Sequence, residues 1–460
     1  MKHSTIALLS VGFLACAPVS TPPDPPATGG SGTTGGSPSG GTGGQRATGG
    51  VPGTGGGSTA PGSGGASAGT GGSPVGGSDA AAEEGGSPPG PGMPDPEQPS
   101  APAPTNLAEH KFSRVIKMDT TAAGANVAAA VANYPVAVVL SGQNFDFAQA
   151  KDRGEDVRFS KMDGTLLPYN IENWDKTAQT ATIWVKVDEV KGNDNAQSFL
   201  LHWGNPAAGS ASDPKAVFSM GDGFIGVYHL NEEGNADPGG YKDSSGHQAH
   251  MTGVMLAPGS RVDGRLGKGT VLTNSKADYR KQWIRLDGDK NTMFNAVGHA
   301  ITASIWTKVS SFGGRSKYGS YETVFSKGDT SWTMQRVGSN DWEACTKGPG
   351  TVTWHNCAII KGAVVTGQWL HFALVLTDAG LTAYLNGEKR ATAGNGKRFS
   401  EHPYGIGQQT QALADGREWD GIVDEARVMA VAKDANWFKL DFESQKDGSK
   451  FLSFGPPQTK

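Results

Sequence analysis

The chain has 460 residues, with 68 glycines, three cysteines and a formal net charge of −4. That balance, with no dense Lys/Arg cluster, excludes a nucleic-acid partner, because phosphate binding needs a basic stripe. Much of the glycine falls before residue 105. The roughly 350 residues left have ordinary globular composition, enough for two β domains with sizeable cores.

Met1, Lys2 and His3 make a short positive segment, and Thr5 to Ala15 is an apolar run. Its length suits a signal peptide and is too short to span a bilayer as a mature helix. The run ends at Phe13-Leu14-Ala15-Cys16, which resembles the lipobox of bacterial lipoproteins, whose cysteine is acylated and becomes the mature N-terminus. Residues 1–16 are therefore expected to be a lipoprotein signal with Cys16 as the lipidation site, and several acyl chains give stable membrane attachment. Ala17 rather than Asp follows the cysteine. The resemblance then implies an exported chain, held by its N-terminal lipid in the outer membrane and facing the cell surface.

Residues 17–105 repeat loose T-G-G and S-G-G units broken by proline. Such a segment has few side chains to bury, cannot offset its chain entropy, and is expected to be disordered. As a coil it has an r.m.s. span of about 50 Å, so it serves as a tether.

From Phe112 the pattern becomes period-two. Phe112–Met118, Tyr134–Leu140, Val157–Ser160, Thr182–Val187 and Ser198–Trp203 are predicted strands, separated by turn signals such as Met162-Asp163-Gly164. A short Ala/Val segment, Ala125–Ala132, is predicted as a helix. Short strands with frequent turns predict a β-sandwich over 106–220. Tyr134-Pro135-Val136, Gly154–Phe159, Leu167–Trp174, Ile183–Val187 and His202–Asn205 occur in an order that resembles a bacterial domain of unknown function (family 2341). The resemblance implies that a concanavalin-like jelly roll follows, and it brings no activity.

The second part, 221–460, opens with the predicted strand Phe224–Leu230 and the turn Asp243-Ser244-Ser245-Gly246. Ala300–Lys308, Gln368–Val375, Leu381–Gly387 and Asp420–Val428 are further strands, and Trp437–Glu443 is a short terminal helix. Asn386-Gly387 suits a type I′ turn because both residues accept positive φ. Taken together, these segments resemble a laminin-G-like or concanavalin A-like domain. The expected fold class is all-β: two β-sandwich domains, the second a jelly roll, behind a disordered tether.

Glycosidases that share the jelly roll place E-x-D-x-x-E on one strand, with two carboxylates facing the cleft. With Asp424 in the middle, Ile422 and Arg427 stand where the glutamates belong. Asp424 and Glu425 are neighbours, expected on opposite faces of a strand. The chain is therefore read as no enzyme. Jelly rolls of this kind often bind Ca²⁺ through carboxylates and carbonyls, and Asp243 and Asp424 are the expected metal ligands. The alternative for both is local hydrogen bonding.

Cys345 and Cys357 stand twelve apart around Gly348-Pro349-Gly350, a spacing that fits a disulfide across a hairpin in an oxidising compartment. Free thiols, or half of a metal site near His355, are the alternatives. Tyr318, Tyr321, Trp332, Trp342 and Trp354 cluster in the same stretch, and Tyr321, Trp332, Trp342 and Trp354 are taken as ligand-binding candidates. Exposed aromatic faces stack on sugars and fill protein pockets. The alternative for each is a place in the core, assigned outright to Trp306, Trp369 and Trp437. The sequence thus reads as a recognition module for a glycan or a surface protein. A structural envelope part is the rival, and a glycoside-active enzyme ranks last. No feature specifies an oligomeric state.

Overall fold

The computed structural model describes residues 106–460 apart from 287, 297, 313–320, 329, 339, 347–355, 395–399 and 411–415. Cys16, the segment 17–105 and Trp354 lie outside the described residues.

Alternating apolar and polar residues form β1 (Phe112–Met118), β2 (Val131–Ser141), β3 (Arg158–Ser160), β4 (Leu166–Leu167), β5 (Tyr169–Asp175), β6 (Thr180–Val190) and β7 (Ser198–Trp203). They divide between one sheet with the order β1-β7-β3-β4 and a three-stranded sheet with the order β2-β6-β5. The helix expected over 125–132 does not form. Asn126 takes a left-handed φ of 53°, and the amides of Ala125 and Val127 donate back to the carbonyls of Asp119 and Thr120. The segment closes a turn, and Val131 already begins β2.

A single helical turn, α1 (Pro214–Val217), leads to the second group of strands. These are β8 (Phe224–Tyr228), β9 (Thr252–Val254), β10 (Arg261–Asp263), β11 (Lys268–Leu272), β12 (Trp283–Leu286), β13 (Ile301–Val309), β14 (Glu322–Ser326) and β15 (Trp332–Val337). After them come β16 (Asp341–Thr346), β17 (Asn356–Ile360), β18 (Trp369–Thr377), β19 (Gly380–Leu385), β20 (Glu388–Ala393), β21 (Tyr404–Ile406) and β22 (Gly421–Met429). An eight-stranded sheet runs β10-β11-β22-β13-β18-β19-β20 with β8 also beside β22, and a seven-stranded sheet runs β17-β16-β15-β14-β21-β12-β9. The two enclose one core, in which Ile305, Val324, Trp332, Trp342, Phe372 and Val428 are buried. This is a two-sheet concanavalin A-like sandwich, stabilised mainly by apolar burial between facing sheets. Asn386 and Gly387 have φ of 50° and 78°, as the I′ turn requires. A Cβ on Gly387 would stand 3.0 Å from the Phe438 carbonyl oxygen, so glycine also lets the helix pass.

That helix, α2 (Ala435–Gln445), starts at Asp434, whose side chain accepts the Trp437 amide at 2.9 Å. The last strands, β23 (Leu452–Phe454) and β24 (Gln458–Thr459), return to the first sheet and pair with β1. The stretch 452–459, placed by sequence with the second domain, therefore completes the first sandwich.

Residues Ala181 through Val185 of β6 are all buried. A strand covered on one face alternates, whereas one covered on both reads as a continuous run. Sheet β2-β6-β5 is such an inner layer. Its Trp184 reaches the eight-stranded sheet, with the Arg427 guanidinium 4.2 Å from the ring. Helix α2 is lodged in the same joint: Phe438 stacks on Tyr384 of β19 at 4.1 Å, and Trp437 meets Tyr134 of β2 edge-on.

Candidate functional site

The aromatic residues expected to carry ligand part company. Trp332 and Trp342 are completely buried between the two sheets. Trp342 stacks on Phe372 at 3.7 Å, and Trp332 Nε1 donates to the Phe294 carbonyl at 2.8 Å. Both are core residues, which corrects the expectation that they meet a ligand. Trp306 and Trp437 are buried as expected, while Trp369 is only half-buried. Tyr321 is also half-buried, just before β14, with the Arg417 guanidinium 5.3 Å from its ring.

Because Trp332, Met334, Trp342 and Ala344 point inward, their neighbours Thr333, Gln335, Glu343 and Cys345 lie on the outer face of the seven-stranded sheet. Cross-strand register sets Thr323 opposite Gln335, Gln335 opposite Glu343, and Glu343 opposite Ile359. Thr323 Oγ1 donates to Gln335 Oε1 at 3.2 Å, and Gln335 Nε2 donates to Glu343 Oε1 at 2.6 Å. A hydroxyl, an amide and a carboxylate thus form one hydrogen-bonded row across three strands. Next to it Thr333 Oγ1 is buried and makes no hydrogen bond, as is Glu418 Oε2 on the segment bridged to Thr323. Cys345 and Cys357 face each other on β16 and β17 with Cα atoms 4.1 Å apart and form the expected disulfide. Their sulfurs are bonded to each other, so the metal-site alternative for this pair lapses.

The proposed calcium ligands are occupied otherwise. Asp243 Oδ1 accepts the amides of Val227 and Ser245 at 2.9 and 2.8 Å; its Oδ2 accepts Ser245 Oγ and the Ala249 amide at 2.7 and 2.9 Å. Asp424 Oδ2 accepts the amides of Arg265 and Leu266 at 2.6 and 2.9 Å, and Oδ1 accepts the Glu425 amide at 2.9 Å. Both carboxylates tie backbone in place, and neither belongs to a group of three ligating side chains among the described residues.

Sequence reasoning missed the polar cluster in the joint between the sandwiches. Two β-bulges build it. On β5 the register slips between Ile171 and Asn173, leaving Glu172 as the extra residue. On β22 it slips opposite Ser304 and Trp306, and Glu425 adopts φ 48°. The bulge brings Glu425 to the outer face with Arg427, correcting the expectation that it points away from Asp424; an added residue re-aims a side chain in just this way. Positive φ at a non-glycine residue costs about 1–3 kcal/mol and persists where surrounding contacts fix it.

The contacts here are dense. Glu425 Oε1 lies 2.8 Å from His229 Nδ1, which lies 3.5 Å from Glu172 Oε2. Trp184 Nε1 donates to Glu172 Oε2 at 2.7 Å. Arg427 donates to Glu425 Oε2 at 2.8 Å and to Asp441 Oδ1 at 3.0 Å. Asp441 of α2 also accepts Gln445 Nε2 at 2.6 Å and lies 3.2 Å from His371 Nε2. Every side chain in this chain of contacts is at most 7% exposed. Burial, then the charges of Glu425 and Asp424, push the Glu172 carboxyl well above the usual carboxylate range. Burial alone would raise Glu425 as well, but His229 and Arg427 hold it down to about 2.

The family model of a domain of unknown function, DUF2341, matches residues 153–231, and that of the concanavalin A-like lectin/glucanases superfamily matches residues 278–437. The order is the expected one. No curated protein matches the chain. Among solved structures, the binding domain of Paraclostridial Mosquitocidal Protein 1 is similar at 15% identity over 49% of this chain and 53% of that one, with a TM-score of 0.35. The binding domain of botulinum neurotoxin DC, in complex with SialylT, is 13% identical over 50% and 53%, TM-score 0.35. Domain 4 of the extracellular arabinanase AbnA from Geobacillus stearothermophilus, in complex with arabinotriose, is 17% identical over 47% and 97%, TM-score 0.28. The chain spans about half the length of the two toxin binding domains.

Proposed function

As a chain that carries a DUF2341 domain followed by a concanavalin A-like domain, the protein is, we propose, a lipid-anchored recognition module that binds carbohydrate. The observation that carries this reading is the hydrogen-bonded row Thr323–Gln335–Glu343 on the outer face of the seven-stranded sheet, with Tyr321 and Arg417 beside it. Sugar hydroxyls both donate and accept, and pair well with amides, carboxylates and hydroxyls backed by an aromatic ring. The other outer face of the jelly roll is covered by the first sandwich and α2, which favours this one for recognition. Within the row Glu343 stands opposite neutral Gln335. On β22, Ile422 and Arg427 stand where the two glutamates of a glycosidase strand belong, and glycoside hydrolysis needs two carboxylates. The reading is therefore non-catalytic.

Acylation of Cys16 would fix the chain in the outer membrane, and residues 17–105 would present the head at the cell surface. One observation favours the rival reading, an envelope spacer without a small ligand: Gln335 is 1% exposed and Glu343 6%. A glycan array probed with the full chain, with and without calcium, decides between them. The expected result is binding to one glycan class that falls at least tenfold in Gln335→Ala and Glu343→Gln. Folded protein that is silent on every glycan, or variants that bind as the parent does, would sink the carbohydrate reading. Capture of an envelope protein through the same face would redirect it to a protein ligand.

A further inference from the structure

Glu172 comes from the first sandwich, and His229 and Glu425 from the second. Each glutamate is delivered by its own bulge. Their ligating atoms all lie within 4.8 Å of one another. The separations of 2.8 and 3.5 Å from His229 Nδ1 bracket the roughly 3.3 Å expected between ligands about 2.0–2.1 Å from a tetrahedral centre.

Two further observations point to a cation. The Glu172 side chain is 0% exposed, yet its Oε1 accepts no hydrogen bond. The joint also buries four carboxylates, Glu172, Asp424, Glu425 and Asp441, against one guanidinium, Arg427, which bonds to two of them. Arg265 is spent on Asp447 and the Gln445 carbonyl. Buried negative charge of this excess is costly unless neutralised by a proton or a metal.

We propose that Glu172, His229 and Glu425 bind a divalent cation of the zinc class and so clamp the two sandwiches together. An imidazole nitrogen with two carboxylates suits zinc or a neighbouring transition metal, whereas calcium takes oxygen ligands. Trp184 Nε1 on Glu172 and the Arg427 guanidinium on Glu425 hold the ligands in orientation, as the outer contacts of metal sites do. The site is closed on all sides by protein, which assigns the ion a structural role.

The test uses the full chain, refolded from denaturant with chelator or with one equivalent of Zn²⁺, Co²⁺ or Ca²⁺. Bound metal is counted after desalting, and thermal midpoints are compared. The expected result is one zinc per chain and a midpoint about 5 °C higher with zinc. Cobalt should give the intense visible absorption of a tetrahedral site, and calcium should give nothing. Should His229→Ala fail to fold, Glu172→Gln keeps the shape and removes one ligand charge; its metal content is expected to fall at least tenfold. No metal retained, preference for calcium, or a Glu172→Gln chain that keeps zinc would overturn the proposal. So would a Glu172→Gln chain that matches the midpoint of the zinc-loaded parent without metal, since a shared proton would then account for the joint.

Discussion

The two outer faces of the jelly roll use polar residues in opposite ways. On the eight-stranded sheet charged residues are buried, ordered by bulges and enclosed by a second domain. On the seven-stranded sheet polar residues form a short row that alternates with core residues, beside a register slip between Thr323 and Phe325. The first arrangement depends on every partner being present, because a buried charge left alone costs several kcal/mol. In the second, each member sits opposite a partner on a neighbouring strand. A site meant to exchange ligands is better served by the second, and a joint meant to stay shut by the first.

Removing one polar donor from each face is the strongest way to break this contrast. Arg427→Met strips Glu425 and Asp441 of their shared donor and is expected to cost about 4 kcal/mol in denaturant unfolding. Gln335→Met on the other face should cost about 1 kcal/mol. Equal losses would mean that the joint is no more demanding than the seven-stranded sheet.

Mild acid probes the joint against the first sandwich. Burial, with nearby Lys460 and His110, lowers the His202 imidazole from 6.5 to about 4. Its Nε2 shares a hydrogen bond with Ser160 Oγ at 2.9 Å, and its Nδ1 has no partner. A depressed imidazole contributes stability that is fully present above its unfolded value. That contribution is lost as pH falls from 6.5 through about 4, up to about 3 kcal/mol in all. The Arg427 guanidinium, by contrast, keeps its charge throughout. Amide exchange between pH 7 and 4.5 should therefore accelerate on β1 and β7 before β13 and β22, and His202→Gln should flatten the difference. Exchange that begins at β22 would reverse the comparison.

Trp342 tests the reading from the other side. Trp342→Leu leaves a gap beside Phe372 and is expected to cost about 2 kcal/mol. Any change in glycan binding should track the fraction folded. A selective loss of binding at full stability would return this residue to the ligand.

Much of the architecture was legible because strict alternation leaves little choice. β1 and β7 have the bounds that the pattern predicts, and the Asn386-Gly387 turn has the backbone its residues favour. The inward parity of Trp342 was also on the page, since it alternates with Glu343 as Trp332 does with Thr333. Clustering along the chain obscured it: proximity in sequence says nothing of which face a residue takes. The joint was out of reach for a different reason. Glu425 carries a left-handed φ with no glycine or asparagine to announce it. Its partners His229 and Glu172 stand some two hundred residues away or more in sequence. Likewise β23 and β24 return to β1 from the far end of the chain, and only tertiary contact specifies that pairing.

The smallest expected effect is the most discriminating. Glu343→Gln preserves volume and keeps an oxygen able to accept from Gln335 Nε2, so the hydrogen bond at 2.6 Å survives in neutral form. Charge-assisted bonds exceed neutral ones by roughly 1 kcal/mol, and the new amide must find an acceptor on a face where Thr333 Oγ1 already lacks a partner. The net stability change is therefore expected to stay within about 1 kcal/mol by denaturant midpoint. A ligand that uses this carboxylate should nonetheless lose tenfold or more in affinity, because a charged acceptor discriminates more strongly when ligand binding excludes water. Stability and binding are thus expected to separate at Glu343 and to move together at Trp342. A variant at Glu343 that loses 3 kcal/mol or more would place the row among the structural contacts of the fold. The outer face would then resemble the joint it was contrasted with, and the spacer reading would gain what the recognition reading lost.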